Sequence, residues 1–348
     1  MCNDLNKNLS TSPEHCQIFL IMYYIKDNKI MENTIIQTTE FKNRPYCLVT
    51  DSGCDLPLSY LESEGIKCVP LGFYFENEEI LMDSTDMSAE EFYKRIRNGE
   101  VAKTSAPSPE RFEKEFRTIL ESGRDILYLG LDSAISTTVN SGRIAAEELR
   151  EEYADRKIFV LDTLCASAGL GLLVAMTKAK MDSGISLSEA LEYAKDLAPK
   201  ISHRFTVETL TYLCRGGRVN KGAAVAGNLL NIKPVLHADD KGYLVNLAKT
   251  RGRAKSLSML VDAYAETASC YATNTGNAGV HNTPAALDEN NNMIMISHAD
   301  CKEDAEDVAK IIKERFNRDV DLITDIGPVI GAHSGPGTVA LFFVATRR

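Results

Sequence analysis

The stretch Asp125-Ile-Leu-Tyr-Leu-Gly-Leu131, which runs on into Asp-Ser-Ala-Ile-Ser-Thr-Thr138, decides the fold. Its first half is a short, continuous apolar run, which is typical of a strand buried on both faces of a parallel sheet. The residues after it place Ile144, Ala145 and Leu149 at helical spacing. A buried strand, a polar loop and a helix in succession are the repeating unit of a parallel α/β domain.

Neighbouring segments extend this alternation of strands and helices. Tyr46-Cys-Leu-Val-Thr-Asp-Ser-Gly53, Cys68–Phe75 and Lys157–Asp162 are apolar runs that predict strands, and a mostly apolar helix is predicted from Leu164 to Met181. We therefore predict an α/β fold whose first domain, residues 46–165, is built on a Rossmann-like parallel sheet. Ligands of such sheets bind beyond the carboxyl ends of the strands.

The second half is predicted to be an α+β domain, residues 166–348, with a mixed or antiparallel sheet. Helical patterns at Lys255–Thr267 and Cys301–Phe316 are interspersed among six strand-like pieces, and Asp239-Asp-Lys-Gly242 predicts a hairpin turn between two of them. The six pieces are Arg204–Val207, Lys233–His237, Tyr243–Leu247, Met293–Ser297, Val320–Ile323 and Val339–Phe343. A chain of 348 residues is long enough for two such domains.

Two segments read as additions to this core. Residues 1–45 form an N-terminal extension rich in Asn, Lys, Thr and Ser, and residues 269–292 form a solvated insertion. The apolar patch Gln17–Ile25 is far shorter than the ~20 residues that cross a bilayer, so stable membrane insertion is not expected. Met31 is an alternative start of translation.

Composition narrows the class of function. A formal net charge of -10 argues against nucleic-acid binding, and nine cysteines without CxxC pairs are typical of reduced thiols in a cytoplasmic protein. Gly169-Leu-Gly171 lacks the third glycine of a dinucleotide fingerprint, so no cofactor is predicted. The loop aspartates, among them Asp51, Asp55 and Asp83, are read as caps and turn residues, and no metal is assigned.

Hydroxyl groups in two loops are candidate ligands for an anion. Thr104 and Ser105 precede a helix that Ser108 and Pro109 are predicted to begin, so their hydroxyls are free for another role. Ser136 lies between a strand end and a helix N-terminus, where backbone N–H groups and the helix dipole favour negative charge. Ser136 reads equally well as a simple N-cap.

His333 and two basic loops are the other candidates. His333 lies in Gly331-Ala-His-Ser-Gly-Pro-Gly337, which predicts a glycine-rich turn before a buried strand. Cations are concentrated in Leu213–Lys221 and in Lys249–Lys255, without the spacing of a phosphate-binding loop. Against the acidic background, such loops suit an acidic partner or an anionic ligand group.

Six of these motifs, in this order along residues 46–348, together resemble the DegV family of fatty-acid-binding proteins. They are Thr50-Asp-Ser-Gly-Cys-Asp-Leu-Pro57, Thr104-Ser-Ala-Pro-Ser-Pro109, the Ser136 loop, Arg215-Gly-Gly-Arg218, Arg251-Gly-Arg253 and Ile326-Gly-Pro-Val-Ile-Gly-Ala-His-Ser-Gly-Pro-Gly337. The resemblance implies a long-chain fatty acid held between two α/β-type domains. It also implies a carrier like FakB, which is not itself an enzyme and presents the acyl carboxylate to a separate fatty-acid kinase.

The resemblance further implies roles for individual residues. The acyl carboxylate is expected to bind the hydroxyls of Thr104 and Ser136, with His333 nearby and with Arg215, or alternatively Arg218, completing the network. Supporting positions are Ser105, Thr137 and Gly335, and docking of the kinase is expected at Arg218, Arg251 and Arg253. Family members usually have Ser-Gly-Thr where this chain has Ser136-Thr-Thr138, which suggests a backbone less free to wrap an anion.

A hydrolase is the alternative from another class. Ser136 or Thr104 would be its nucleophile and His333 its base, since hydroxyl and imidazole are expected to lie together. No Gly-x-Ser-x-Gly elbow surrounds either hydroxyl, and no aspartate is evidently paired with the histidine. A lipid carrier is therefore favoured over an enzyme that cleaves acyl esters.

Overall fold

Three β-sheets and the helices between them are seen in the computed structural model, which describes residues 45–219, 231–268 and 293–346. The strands are β1 (Tyr46–Asp51), β2 (Lys67–Val69), β3 (Gly72–Phe75), β4 (Leu81–Met82), β5 (Ala102–Ser105), β6 (Asp125–Gly130), β7 (Ile158–Asp162), β8 (Ile201–Thr206), β9 (Ile232–Ala238), β10 (Leu244–Arg251), β11 (Ile294–His298), β12 (Leu322–Asp325) and β13 (Val339–Val344). The helices are α1 (Leu58–Ser63), α2 (Ala89–Arg97), α3 (Pro109–Glu121), α4 (Thr138–Glu152), α5 (Ala168–Asp182), α6 (Leu187–Leu197), α7 (Thr211–Arg215), α8 (Arg253–Thr267), α9 (Lys302–Phe316) and α10 (Pro328–Ser334). The predicted extension up to residue 44 and the predicted insertion at 269–292 lie outside the described residues.

A four-stranded parallel sheet of order β2-β1-β6-β7 confirms the predicted parallel α/β half. All six residues of β6 are buried, as expected of a strand covered on both faces. The predicted single strand Cys68–Phe75 is wrong. It is two strands in different sheets, because Pro70 lies between them, cannot donate a ladder hydrogen bond, and lets the chain turn from β2 into β3.

A small antiparallel sheet of order β4-β3-β5 was not predicted. Its strand β5 carries Thr104 and Ser105, which were expected in a loop and instead pair with Phe73 and Gly72 of β3. The four residues of β5 are too few and too polar to show a strand pattern, and only tertiary pairing makes them one.

A six-stranded mixed sheet of order β10-β9-β8-β13-β11-β12 confirms the predicted second half. Each of the six strand-like pieces becomes one of its strands. Only β11 and β12 run parallel, and the other neighbours are antiparallel. The predicted hairpin joins β9 to β10, with the Asp239 N–H donating to the carbonyl of Tyr243 at 2.9 Å.

The helix α5 packs against strands of both the parallel and the mixed sheet, and this position explains its composition. Every residue from Ala168 to Thr177 is buried, so the helix is apolar on all sides. Its two glycines allow close approach, since a Cβ on Gly169 would lie 2.3 Å from His203 Nε2 and one on Gly171 would lie 2.7 Å from the Cys54 carbonyl oxygen. The Gly-Leu-Gly motif is therefore a packing feature.

One hydrophobic cluster takes side chains from β6, α5 and β13, so both predicted domains contribute to it. The described residues belong to one compact unit, and a domain boundary near residue 165 stays a prediction. No helix in the described ranges combines the length and the apolar character that a bilayer span requires.

Candidate binding cavity

A cavity of ≈ 420 Å³ lies among the loops that follow β6 and β7, the strand β5, the helix α10 and three strands of the mixed sheet. Most of its lining side chains are apolar, and its polar ones are chiefly hydroxyls, two histidines and one arginine. Its polar lining residues are Thr104, Ser105, Ser133, Ser136, Thr137, Ser167, His203, Arg218, His333, Ser334 and Thr338. A concave, mainly apolar space with a few polar groups is the usual form of a small-molecule site.

Thr104 and His333 meet in this cavity, with Thr104 Oγ1 2.8 Å from His333 Nε2. The predicted turn at residues 331–337 is wrong in part, because its first four residues complete α10 and His333 lies in the last turn of that helix. Gly335 ends the helix at φ +78°. It does not line the cavity, but a Cβ there would lie 2.2 Å from the ring of Tyr212, so the glycine is required for packing.

The environment of His333 favours the neutral imidazole. Burial, and then the positive charges of Arg218 and Arg215, lower the pKa of His333 to about 4. Its Nδ1 has no hydrogen-bond partner among the described residues, and the backbone of Gly216 approaches it so closely that a Cβ there would lie 2.2 Å away. An anion bound beside the ring would raise this pKa.

We expect the stability of the ligand-free protein to report this lowered pKa. The unfolded state binds a proton at His333 below about pH 6.5 while the folded state does so only near pH 4, so stability falls as the pH drops through this window. Between pH 7 and pH 4, the free energy of unfolding of the wild type should fall by on the order of 2 kcal/mol more than that of His333→Gln. Urea unfolding of both proteins at several pH values measures this, and parallel curves would contradict it.

Ser136 lines the cavity, but the predicted N-cap role is wrong, because the N-cap of α4 is Thr137. Its Oγ accepts a hydrogen bond from the Thr138 N–H at 3.2 Å, at the start of α4. Thr137 has φ -90°, an ordinary value for a side chain, so the loop does not require the glycine that family members usually have there. Ser136 thus lies in the loop just before the N-terminus of α4, and its role as an anion ligand stays a prediction.

Arg218, rather than Arg215, lines the cavity. After α7, the N–H of Gly217 donates to the carbonyl of Cys214, and the N–H of Arg218 donates to the carbonyl of Leu213. Gly217 permits this helix end because it adopts φ +74°. The chain reverses direction there, and this brings Arg218 to the cavity. Arg215 is exposed, with its guanidinium 4.9 Å from the centre of the Tyr212 ring.

The guanidinium of Arg218 joins two loops at the cavity. Its Nε donates to the carbonyl of Ile135 at 3.0 Å, and Nη1 donates to the carbonyl of Gly216. No carboxylate pairs with it in the part of the chain that the structure describes, and burial lowers its pKa. A half-buried cation without a counter-ion favours an anionic ligand.

The DegV family model matches residues 46–346. The chain belongs to the DegV family. It is 37% identical over 302 residues to a DegV domain-containing protein of Clostridium perfringens, covering 86% of this chain and 98% of the relative. It is 31% identical over 303 residues to a fatty acid-binding protein of Thermotoga maritima, covering 84% of this chain and 95% of the relative.

Solved structures of fatty acid-binding proteins share this fold. A fatty acid-binding DegV family protein of Thermus thermophilus is similar at a TM-score of 0.73 and 28% identity, covering 86% of this chain and 99% of that one. A stearic acid-binding protein of Eubacterium ventriosum is similar at a TM-score of 0.74 and 27% identity, covering 86% and 98%. The mixed α/β architecture predicted from the sequence is thereby confirmed.

The two arginines of the second basic loop have different surroundings in this DegV protein. Arg251 is exposed at the end of β10. Arg253 is held in place, since Nε donates to Asp304 at 2.9 Å and Nη2 donates to the carbonyl of Gly337 at 2.7 Å. Arg253 therefore links the starts of α8 and α9 to the segment before β13, and the docking role expected for it stays a prediction.

Five polar residues of the cavity wall were not recognised from the sequence, namely Ser133, Ser167, His203, Ser334 and Thr338. His203 and Ser167 are the two with the most informative contacts. The ring of His203 accepts a hydrogen bond from the Ala166 N–H at 3.1 Å on Nε2, and its Nδ1 lies 3.0 Å from the carbonyl of Ile201, so the neutral ring donates from Nδ1. Ser167, at φ 54°, donates its hydroxyl to Asp55 at 2.5 Å. Neither His203 nor Ser167 carries a local sequence pattern, because Ala166 lies 37 residues from His203 and Asp55 lies 112 residues from Ser167.

The predicted turn and cap aspartates prove to organise the cavity loops. Asp51 accepts hydrogen bonds from the N–H groups of Gly53 and Leu131, and Asp55 accepts one from the N–H of Gly327 just before α10. Burial raises the pKa of Asp51 to about 6 and that of Asp55 above its ordinary range. The described residues contain no group of three or more side chains arranged to hold a metal ion.

Proposed function

We propose that this DegV protein binds a long-chain fatty acid in the cavity and, like FakB, presents its carboxylate to a separate fatty-acid kinase. The observation that carries the proposal is the Arg218 cation, which has no carboxylate partner among the described residues, beside the Thr104–His333 hydrogen bond in a mainly apolar cavity. Relatives that are described as fatty acid-binding proteins support it.

Thr104, His333 and Arg218 form one connected polar end of the cavity. Thr104 bonds to His333, whose Nδ1 lies against Gly216, and Arg218 bonds to the carbonyl of Gly216 and to that of Ile135, the neighbour of Ser136. Burying an isolated carboxylate is costly, but hydroxyl donors, a guanidinium and a helix N-terminus offset that cost. The carboxylate is therefore expected at this end, with the tail along the apolar walls.

Tail burial is the main source of affinity in this proposal. Removing about 15 methylenes from water contributes roughly 12 kcal/mol at ~0.8 kcal/mol each. Lost translational and conformational freedom cancels a large part of this gain. The apolar side chains available along the walls are Leu71, Leu131, Phe205, Leu213, Leu244, Ile326, Val329, Ile330 and Phe342.

The geometry counts against the hydrolase alternative, although Thr104 and His333 do lie together. A general base needs a pKa near the working pH and a partner that orients it. The pKa of His333 is lowered to about 4, and its Nδ1 meets the Gly216 backbone instead of a carboxylate. The imidazole is better suited to hold the Thr104 hydroxyl and to receive an anionic ligand.

Presentation to a kinase is tested at Arg251, which is exposed and makes no ion pair among the described residues. We expect Arg251→Glu to leave fatty-acid binding unchanged and to lower acyl phosphorylation by the cognate kinase about tenfold, because a rim charge acts mainly on association. The measurement is the initial rate of acyl-phosphate formation on the lipid-loaded protein.

The exposed Lys195 serves as the matched control, since Lys195→Glu makes the same kind of charge reversal on α6, where no docking is proposed. Arg253→Glu is unsuitable because it would break the ties to Asp304 and Gly337. Equal phosphorylation rates in Arg251→Glu and the wild type would contradict docking at Arg251.

A further inference from the structure

A second cavity, of ≈ 540 Å³, lies between α2 and the loop that joins β11 to α9. It opens where the parallel strands β11 and β12 end side by side, with His298 in register with Asp325. The crevice beyond the carboxyl ends of parallel strands is where α/β sheets bind ligands. Unlike the first cavity, its lining is mostly charged and polar: Ala89, Glu90, Tyr93, His298, Asp300, Cys301, Lys302, Glu303, Asp304 and Asp325.

The carboxylates of this second cavity are only partly neutralised. Asp300 pairs with Arg97, and Asp304 pairs with Arg253. The other three, Glu90, Glu303 and Asp325, have no lysine or arginine partner in the ranges that the structure describes. The cavity therefore has an excess of negative charge that an occupant can balance.

His298 is an independent sign that a ligand is missing here. Its side chain lines the cavity, the residue is only 5% exposed, and its Nδ1 makes no hydrogen bond within the described chain. The nearest carboxylate oxygen, Asp325 Oδ1, lies 3.5 Å away. Burial lowers the pKa of His298, so the ring is neutral and needs a partner for one nitrogen. A buried polar atom without a partner is costly, and a ligand that hydrogen-bonds to the ring removes that cost.

The arrangement of the carboxylates in the second cavity favours one class of ligand over others. A metal ion requires several ligands that converge on one point, and the described residues offer no such group. An anion is disfavoured because Glu303 and Asp304 occupy the first turn of α9. Three carboxylates that lie apart around one crevice match a flexible molecule with several separated positive charges.

We propose that the second cavity binds a small aliphatic polyamine, whose ammonium groups pair with Glu90, Glu303 and Asp325 and donate a hydrogen bond to the His298 imidazole. Each exposed ion pair contributes little alone, so affinity arises from several pairs on one molecule. Binding is therefore modest and weakens as salt is added. The proposal is independent of what occupies the first cavity.

Titration calorimetry of the full chain with spermidine tests this inference. We expect saturable binding to the wild type, and affinity reduced about tenfold or more in Glu303→Gln/Asp325→Asn. The matched control is Glu121→Gln/Glu151→Gln, which removes the same charge from exposed positions on α3 and α4 and should bind as the wild type does.

Two results would overturn the proposal. The first is absence of spermidine binding at millimolar concentration, and the second is equal affinity in both double variants, which would mean that spermidine responds only to overall charge. Magnesium chloride at matched ionic strength is the remaining comparison. Heat that magnesium alone produces, and that Glu303→Gln/Asp325→Asn abolishes, would make the cavity an inorganic cation site and would also contradict the proposal.

Discussion

Arg218→Gln is expected to weaken fatty-acid binding about thirtyfold or more. This change corresponds to about 2 kcal/mol of binding free energy, the lower end of the usual cost of removing one partner from a desolvated charge pair. The reason is the position of this guanidinium, which lines the cavity and lacks a carboxylate partner in the described chain. Without it, the ligand carboxylate would be buried with neutral donors only. Displacement of a fluorescent fatty acid measures the change.

Two controls separate charge recognition from loss of structure. Arg215→Gln removes a cation three residues away whose side chain is exposed over Tyr212, and we expect a change of less than about threefold there, as for a screened surface charge. The methyl ester of the same fatty acid has no charge, so it should bind wild type and Arg218→Gln alike. Equal weakening for acid and ester would show that Arg218 acts only through its bonds to Ile135 and Gly216.

Gly216→Ala is expected to destabilise the protein by roughly 3 kcal/mol, the upper part of the usual range for overpacking. The added Cβ would lie 2.2 Å from His333 Nδ1, so the imidazole must move away from Thr104. Fatty-acid binding should weaken as well, since the donor pair at the polar end is then broken. Urea unfolding and the displacement assay give the two quantities.

A double-mutant cycle identifies the cause of this loss. If the clash with the imidazole is responsible, Gly216→Ala should cost less than about 1 kcal/mol in a His333→Ala background, where the added methyl group has space. Gly216 is not in the left-handed region, so backbone strain does not contribute. A cost that is the same in both backgrounds would contradict the close packing of α7 against α10.

Local sequence patterns predicted the strands, helices and caps of the fold well. The hairpin at Asp239–Gly242 and the beginning of α3 at Ser108 and Pro109 both depend on residues close in the chain. These elements are decided by local backbone and capping preferences. They could therefore be predicted without knowledge of the tertiary structure.

The failures concern segments whose conformation depends on distant partners. Residues 102–105 form a strand only because β3 pairs with them. Residues Gly331–Ser334 are helical where α10 packs closely against α2, since a Cβ on Gly331 would lie 2.3 Å from the Tyr93 hydroxyl. Glycine content predicted a turn there. The close packing of α10 against its neighbours favours a helix there more strongly than the glycines favour a turn.

The candidate site shows the same division. The sequence identified the hydroxyl groups and the imidazole as candidate ligands. It could not show that Thr104 and His333 form a hydrogen bond, because they are 229 residues apart and only the fold brings them together. Arg215 and Arg218 are equally basic in sequence. Their different placement results from the Gly217 turn at the end of α7, which returns only Arg218 to the cavity.

The central claim is tested most directly by native mass spectrometry of the freshly purified chain, followed by extraction of its ligand. We expect a bound mass that extraction identifies as a long-chain fatty acid, at about one molecule per chain, because the cavity offers one charged end. A chain that is purified empty and then takes up no labelled fatty acid would contradict the proposed function.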